Sequence, residues 1–170
     1  MTERAAKSNW IAVRELLRTR VARQPAELTL SKIVAQVANA FETDVGSLYV
    51  LQRDGNHLLL AATVGLLQTC VGQLRMQLDE GLVGLVAEQR APVVLAEAPR
   101  HPRFKYFPEA DEDRYQSFLG VPILDSSNLR GVLVVQTIEP RQFTSAETGN
   151  LAQVAALLGR HWSSILDRDV

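Results

Sequence analysis

Two pairs of apolar, strand-forming runs in this chain are each separated by only a few turn-forming residues, and this limits the folds open to it. VGSLYVLQ (45–52) and HLLLAATV (57–64) flank RDGN, and SFLGVPIL (117–124) and LRGVLVVQT (129–137) flank DSSN. Strands joined so closely can only run antiparallel, because a parallel pair needs a crossover of a dozen or more residues. Asp54-Gly55 suits a two-residue turn with positive backbone angles. LRMQLD (74–79) alternates apolar and polar residues, and PVVLA (92–96) is a short apolar run, so six strands are predicted.

Helical spacing brackets the strands. Trp10, Val13, Leu16, Leu17 and Val21 recur at three and four residues, and Pro25 ends that pattern. Thr29 is the expected cap of a second helix that buries Leu30, Ile33, Val34, Val37, Ala38 and Phe41. In the last element Thr144 and Glu147 stand at capping-box spacing, ahead of a stripe of Leu151, Val154, Ala155, Leu158, Trp162 and Ile165. GLVGLVAEQ (81–89) is long enough for two helical turns. Its glycines serve either an exposed N-terminus that binds an anion or close packing, and the sequence leaves both open. The order implies an α+β fold, an antiparallel sheet with its helices gathered on one face. The other face is left to the short helix and a charged loop.

The whole is read as one domain, 1–170, with a helix and connector over 1–28 and the core over 29–166. Hydrophobic residues make up 46% and charged residues 22%, which is globular, and a net charge of -1 offers no field for nucleic acid. Cys70 is the single cysteine, so neither an internal disulfide nor a multi-thiolate metal site can form. No run is apolar enough for a membrane span, and the charged residues Arg14 and Glu15 interrupt any export signal. The expected location is therefore cytoplasmic, with no membrane and no nucleic acid among the partners.

Catalysis needs an activated nucleophile, an acid–base pair or a metal. His57, His101 and His161 show no ligand spacing, and no nucleotide, phosphate-loop or cofactor motif is present, so no catalytic residue, metal or cofactor is assigned. The charged loop is distinctive because its signs are segregated. Arg100, His101, Arg103 and Lys105 form a basic half, and Glu109, Asp111, Glu112 and Asp113 an acidic half, with Phe104, Tyr106, Phe107 and Tyr115 interleaved. Such a mixture suits the lid of a small-ligand pocket or a solvated loop pinned by its aromatic residues.

GLVGLVAEQRAPVVLAEAPRHPRFKYF, SFLGVPIL, LRGVLVVQ and QFTSAE resemble, in order, the landmarks of the GAF domain family over residues 29–166. FETDVGSLYVL and HPRFKYFPEADEDRYQSFLGVPI narrow the resemblance to the N-terminal sensory GAF domains of nitrogen-branch phosphoenolpyruvate-protein phosphotransferases. The resemblance implies a six-stranded sheet, helices behind it and a ligand pocket in front. It also implies regulation of phosphotransfer by glutamine or 2-oxoglutarate, through catalytic domains that this chain does not contain.

On that basis a small carboxylate or amino-acid metabolite is expected between the sheet and the loop. Gly81, Val83 and Gly84 of the short helix would meet it, together with one of Arg100, His101 or Arg103. Phe104, Tyr106 and Tyr115 would close over it, and Ser47, Tyr49 and Ser117 would add polar contacts from strands. A homodimer through the Trp10 and Trp162 stripes of the terminal helices is also expected. Three rivals remain. A cyclic-nucleotide GAF domain has Phe107, Asp111 and Glu112 in its favour but lacks the Asn-Lys pair. A free methionine sulfoxide reductase would need a second cysteine. A ligand-free interaction module needs no pocket.

Overall fold

The computed structural model describes residue 15, residues 26–110 and residues 114–166. The expected first helix, with Trp10, lies outside them apart from Glu15, as do Asp111, Glu112 and Asp113. The sequence continues from helix α1 (Ala26–Phe41) into the hairpin β1 (Val45–Leu51) and β2 (His57–Val64). A turn at Gln68–Cys70 leads to β3 (Arg75–Gln77), helix α2 (Gly81–Gln89) and β4 (Val93–Leu95). Turns at Ala98–Arg100 and Pro108–Ala110 precede β5 (Ser117–Asp125), β6 (Asn128–Thr137), α3 (Ser145–Arg160) and α4 (Trp162–Leu166).

The six strands form one antiparallel sheet in the order β3-β2-β1-β6-β5-β4. The expected α+β architecture is present. Alternation along the strands sends one set of side chains to each face. Leu48, Leu119, Val121, Ile123, Leu133 and Val135 join α1, α3 and α4 in one core. Val45, Tyr49, Leu58, Leu60, Phe118, Val132 and Val134 join α2 and the loop residues in a second core on the opposite face.

Two bulges set that division. In β2 the register slips at Ala61, so that Leu48 opposes Ala62 while Tyr49 opposes Leu60. One extra residue reverses which side chains face which core, and simple alternation through HLLLAATV therefore misassigns half the strand. A second slip at Arg130 returns Leu129 to the face of Val132.

Several local expectations are corrected. Thr29 does not cap α1: the helix begins three residues earlier at Ala26, directly after Pro25, and Thr29 is buried within it. The first hairpin turn is also longer than two residues. Gln52 donates to the His57 carbonyl at 2.8 Å, only Gly55 has a positive φ of 72°, and the Asp54 carboxylate accepts from the Asn56 and His57 N–H groups. Those hydrogen bonds, with Asn56 first, lower the Asp54 pKa from 3.8 to about 2. The last helix breaks at His161, whose φ of -103° and ψ of 11° separate α3 from α4. Its apolar stripe nonetheless continues into buried Trp162 and Ile165.

The capping box is formed as the spacing predicts. Thr144 Oγ1 accepts from the Glu147 N–H at 3.1 Å, and the Glu147 carboxylate accepts from the Thr144 N–H at 2.8 Å. No described helix is long and apolar enough to cross a membrane.

Candidate functional site

The face opposite the long helices is covered by α2 and by residues 97–110 and 114–116, which cross over it. The base of this loop is closed where the Ala98 N–H donates to the Gln116 carbonyl at 2.6 Å. Two ion pairs then tie its middle to the two ends of α2. Lys105 Nζ reaches Glu80 at 2.5 Å, and Arg103 Nη1 reaches Glu88 at 2.7 Å. Lys105 also stands over the Phe107 ring, 5.2 Å from its centre. The loop is a lid strapped to the short helix.

Glu80 is held below its usual 4.5, first by the hydrogen bond from Lys105 and then by the Gln77 N–H. Arg103 has a less balanced environment. Its Nε and Nη2 are buried and have no hydrogen-bond partner among the described residues, while Nη1 alone meets Glu88. Nε and Nη2 share one edge of the guanidinium, the edge that grips a carboxylate in bidentate fashion.

The predicted site residues separate into groups. Val83 and Phe104 border a small cavity of about 20 Å³ beneath the lid, together with Leu82, Phe107 and Phe118. That space is about enough for one water molecule. Tyr49 is buried in the same core. Ser47 is fully buried and shares a 2.8 Å hydrogen bond with the Thr63 hydroxyl. Ser117 does not reach this face: it alternates with Phe118, which does, and bonds to Thr137 across the β5–β6 ladder.

The glycines of α2 are set by packing. A side chain at Gly84 would fall 2.6 Å from the Leu78 carbonyl oxygen. One at Gly81, where φ is +65°, would meet the Phe107 ring at 3.3 Å. The Gly84 N–H is already donated to Glu80 within the helix. Close packing accounts for both glycines.

In the loop, Arg100 is exposed and pairs with Glu97, and His101 Nδ1 accepts from the Arg103 N–H at 3.1 Å, which shapes the turn that presents Arg103. Tyr115 is a buried post rather than a flap. Its hydroxyl donates to the Gly65 carbonyl at 2.8 Å and accepts from Arg114. Tyr106 is 43% exposed and lines a separate outer cleft of about 620 Å³.

Sequence reasoning missed the anchoring carboxylates Glu80 and Glu88. The available signal was an acid at each end of a two-turn helix, matched by two basic residues two apart in the loop.

The sequence model of the GAF domain family matches residues 25–162. The chain belongs to the GAF domain family. It is 37% identical over 135 residues to the phosphoenolpyruvate-dependent phosphotransferase system protein of Escherichia coli K12, a match covering 77% of this chain and 18% of that protein. The chain thus spans under a fifth of that relative's length.

Among solved structures, the GAF domain of a phosphoenolpyruvate-protein phosphotransferase from Coxiella burnetii superposes with a TM-score of 0.82 at 34% identity, covering 92% of this chain and 94% of that one. The free methionine-R-sulfoxide reductase of Neisseria meningitidis, solved with its substrate, reaches a TM-score of 0.81 at 18% identity over 98% and 95% of the two chains. That likeness is one of fold. In this GAF domain the lone cysteine, Cys70, is buried and its thiol donates to the Glu109 carbonyl.

Proposed function

We propose that this GAF domain is the metabolite-sensing regulatory part of a phosphoenolpyruvate-protein phosphotransferase, and that it adjusts phosphotransfer in response to glutamine or 2-oxoglutarate. The relatives supply the setting, and Arg103 carries the ligand class. Two buried guanidinium donors without partners are costly, about 1–3 kcal/mol for each unsatisfied group. A ligand carboxylate accepting from Nε and Nη2 would relieve that cost.

Because the cavity beneath the lid is so small, entry requires the lid to lift. Ligand affinity is then reduced by the fraction of molecules with the lid open, and binding shifts that equilibrium. The changed lid position is the signal offered to the rest of a longer protein. Calorimetry on the 170-residue chain tests this reading. One of the two metabolites should bind with a millimolar or tighter dissociation constant, and Arg103→Ala should weaken it by about tenfold or more, the loss of a charge-assisted contact. Absence of binding by both compounds defeats the reading.

Dimerisation through the terminal helices is a second part of the proposal. Trp162 is 5% exposed in the single chain. It still borders, with Leu166, Val50 and Leu129, an open groove of about 630 Å³ beside α4. Light scattering should give twice the 18.8 kDa chain mass at high concentration. A monomer mass there removes the dimer and leaves the sensing reading intact.

A further inference from the structure

Helix α2 ends on a residue that its backbone does not favour. Arg90 follows Gln89 with φ of 50° and ψ of 38°, the left-handed conformation in which glycine or asparagine ordinarily closes a helix. A longer side chain is strained there, yet this one has a defined use. The Arg90 N–H closes the helix on the Val86 carbonyl at 2.9 Å, while Nη1 reaches across and donates to the Ser127 carbonyl at 2.7 Å.

Ser127 belongs to the two-residue turn between β5 and β6, and its neighbour Ser126 is left-handed as well, with φ of 56°. Such angles are uncommon outside glycine. Among the described residues Glu42 is the only other non-glycine with a positive φ. The strained end of α2 and the strained turn are thus joined by one side chain.

That turn bears directly on the last helices. The Leu124 carbonyl lies beneath Gly159 of α3, so close that a side chain at Gly159 would fall 1.9 Å from its oxygen. Backbone meets backbone there, and no side chain stands between to absorb a displacement. Asp125 holds Arg130 at 3.0 Å, and Arg130 and Leu129 border the groove beside Trp162 and Leu166 of α4.

On its other side α2 carries the lid, through Glu80 to Lys105 and through Glu88 to Arg103. We infer that Arg90 is a positioning residue, a strut that couples the lid to the α3–α4 junction by way of the β5–β6 turn. When the lid lifts, α2 loses its two ties and shifts; Arg90 carries the shift to Ser127, and the turn passes it to Gly159 and the groove. The inference deepens the sensing reading by giving its output a route, and rests on that reading for its purpose. A competing route exists in the middle of the helix, where Val86 packs so closely over Gly120 that a side chain there would meet it at 2.8 Å.

Amide shift mapping on the 170-residue chain, without any ligand, separates the two routes. Lys105→Met frees the lid from the opposite end of α2, and the amides of residues 124–128 and 158–166 are read. They should move in the wild-type background. With Arg90→Gly in the same chain the movement should shrink about twofold or more, the non-additivity of coupled sites. Glycine suits the left-handed position, so Arg90→Gly should leave urea unfolding unchanged or strengthen the fold. Arg90→Asn also tolerates that backbone but is too short to reach Ser127, and it should damp the movement equally.

Undiminished movement in both variants assigns the coupling to the Val86–Gly120 contact and overturns the inference, as does a wild-type background in which residues 158–166 stay still. Damping by Arg90→Gly alone traces the effect to added chain freedom and overturns it too. Because no metabolite is present, undamped movement leaves the sensing reading standing. Calorimetry that finds no metabolite binding defeats that reading and leaves the strut in place.

Discussion

The two faces of the sheet are covered in different ways. Behind it, α1 and α3, each 16 residues long, lay continuous apolar stripes on Leu48, Leu119, Leu133 and Val135. In front, a nine-residue helix and a loop with two short turns do the same work, and side-chain ion pairs hold the lid to the helix. A core made by long helices separates only when the domain unfolds. A cover made of short pieces tied by partly exposed charges can open by itself, because such ties contribute little and local opening exposes few buried groups. In this GAF domain the lid face is the separable one.

The largest effect that sharpens the contrast comes from truncating each core. Leu133→Ala, fully buried among the long helices, should cost about 2–5 kcal/mol in urea unfolding. Phe107→Ala, on the lid, should cost clearly less, because the loop can relax around the deletion, and should instead speed amide exchange over residues 104–110. Equal losses in the two variants would break the distinction between the faces.

A step smaller, the charged ties differ between the faces. Removing the α3 cap with Thr144→Ala should lower global stability by about 1 kcal/mol. Lys105→Met, which cuts the lid tie to Glu80, should change global unfolding by about 0–1 kcal/mol and show itself in lid exchange. If Lys105→Met proves the more damaging in urea, the lid is part of the global cooperative unit.

The smallest expected effect is in pH. Glu80 is depressed below 4.5 by Lys105 and the Gln77 N–H, and Glu147 is depressed on balance: burial raises it, but the Thr144 and Arg141 hydrogen bonds outweigh that. A depressed acid contributes stability that is present above the unfolded value and is lost as pH falls through the lowered folded value. Acidification below 4.5 should therefore loosen the lid through Glu80 and weaken the α3 cap through Glu147. Exchange over residues 103–109 should accelerate on acidification beyond its intrinsic pH dependence, and Glu80→Gln should abolish that excess. An excess unchanged in Glu80→Gln places the acid-sensitive tie elsewhere.

Much of the helix-backed half was legible. The stripes of α1 and α3 and the capping box at Thr144 are local periodicities, and local periodicity survives folding because each helix makes its own hydrogen bonds. The short helix was also legible to the residue, Gly81–Gln89. The site was less so. Ser117 was placed on the ligand face although it alternates with Phe118 and bonds Thr137, and Tyr115 was given a flap's role although it is a buried post. Face assignment depends on register, and Ala61 and Arg130 each shift it by one residue without any local signature.

The sequence by itself determined the elements, their antiparallel pairing and the charge segregation of the lid, since these follow from side-chain periodicity, turn length and residue type. Only the tertiary structure decided what that lid does. Arg103 meets Glu88 with one nitrogen and leaves two without partners, Lys105 meets Glu80, and Phe107 packs on Gly81. Those contacts join residues 15–26 positions apart, and distances of that kind are fixed by the packing of α2 against the sheet rather than by any pattern along the chain.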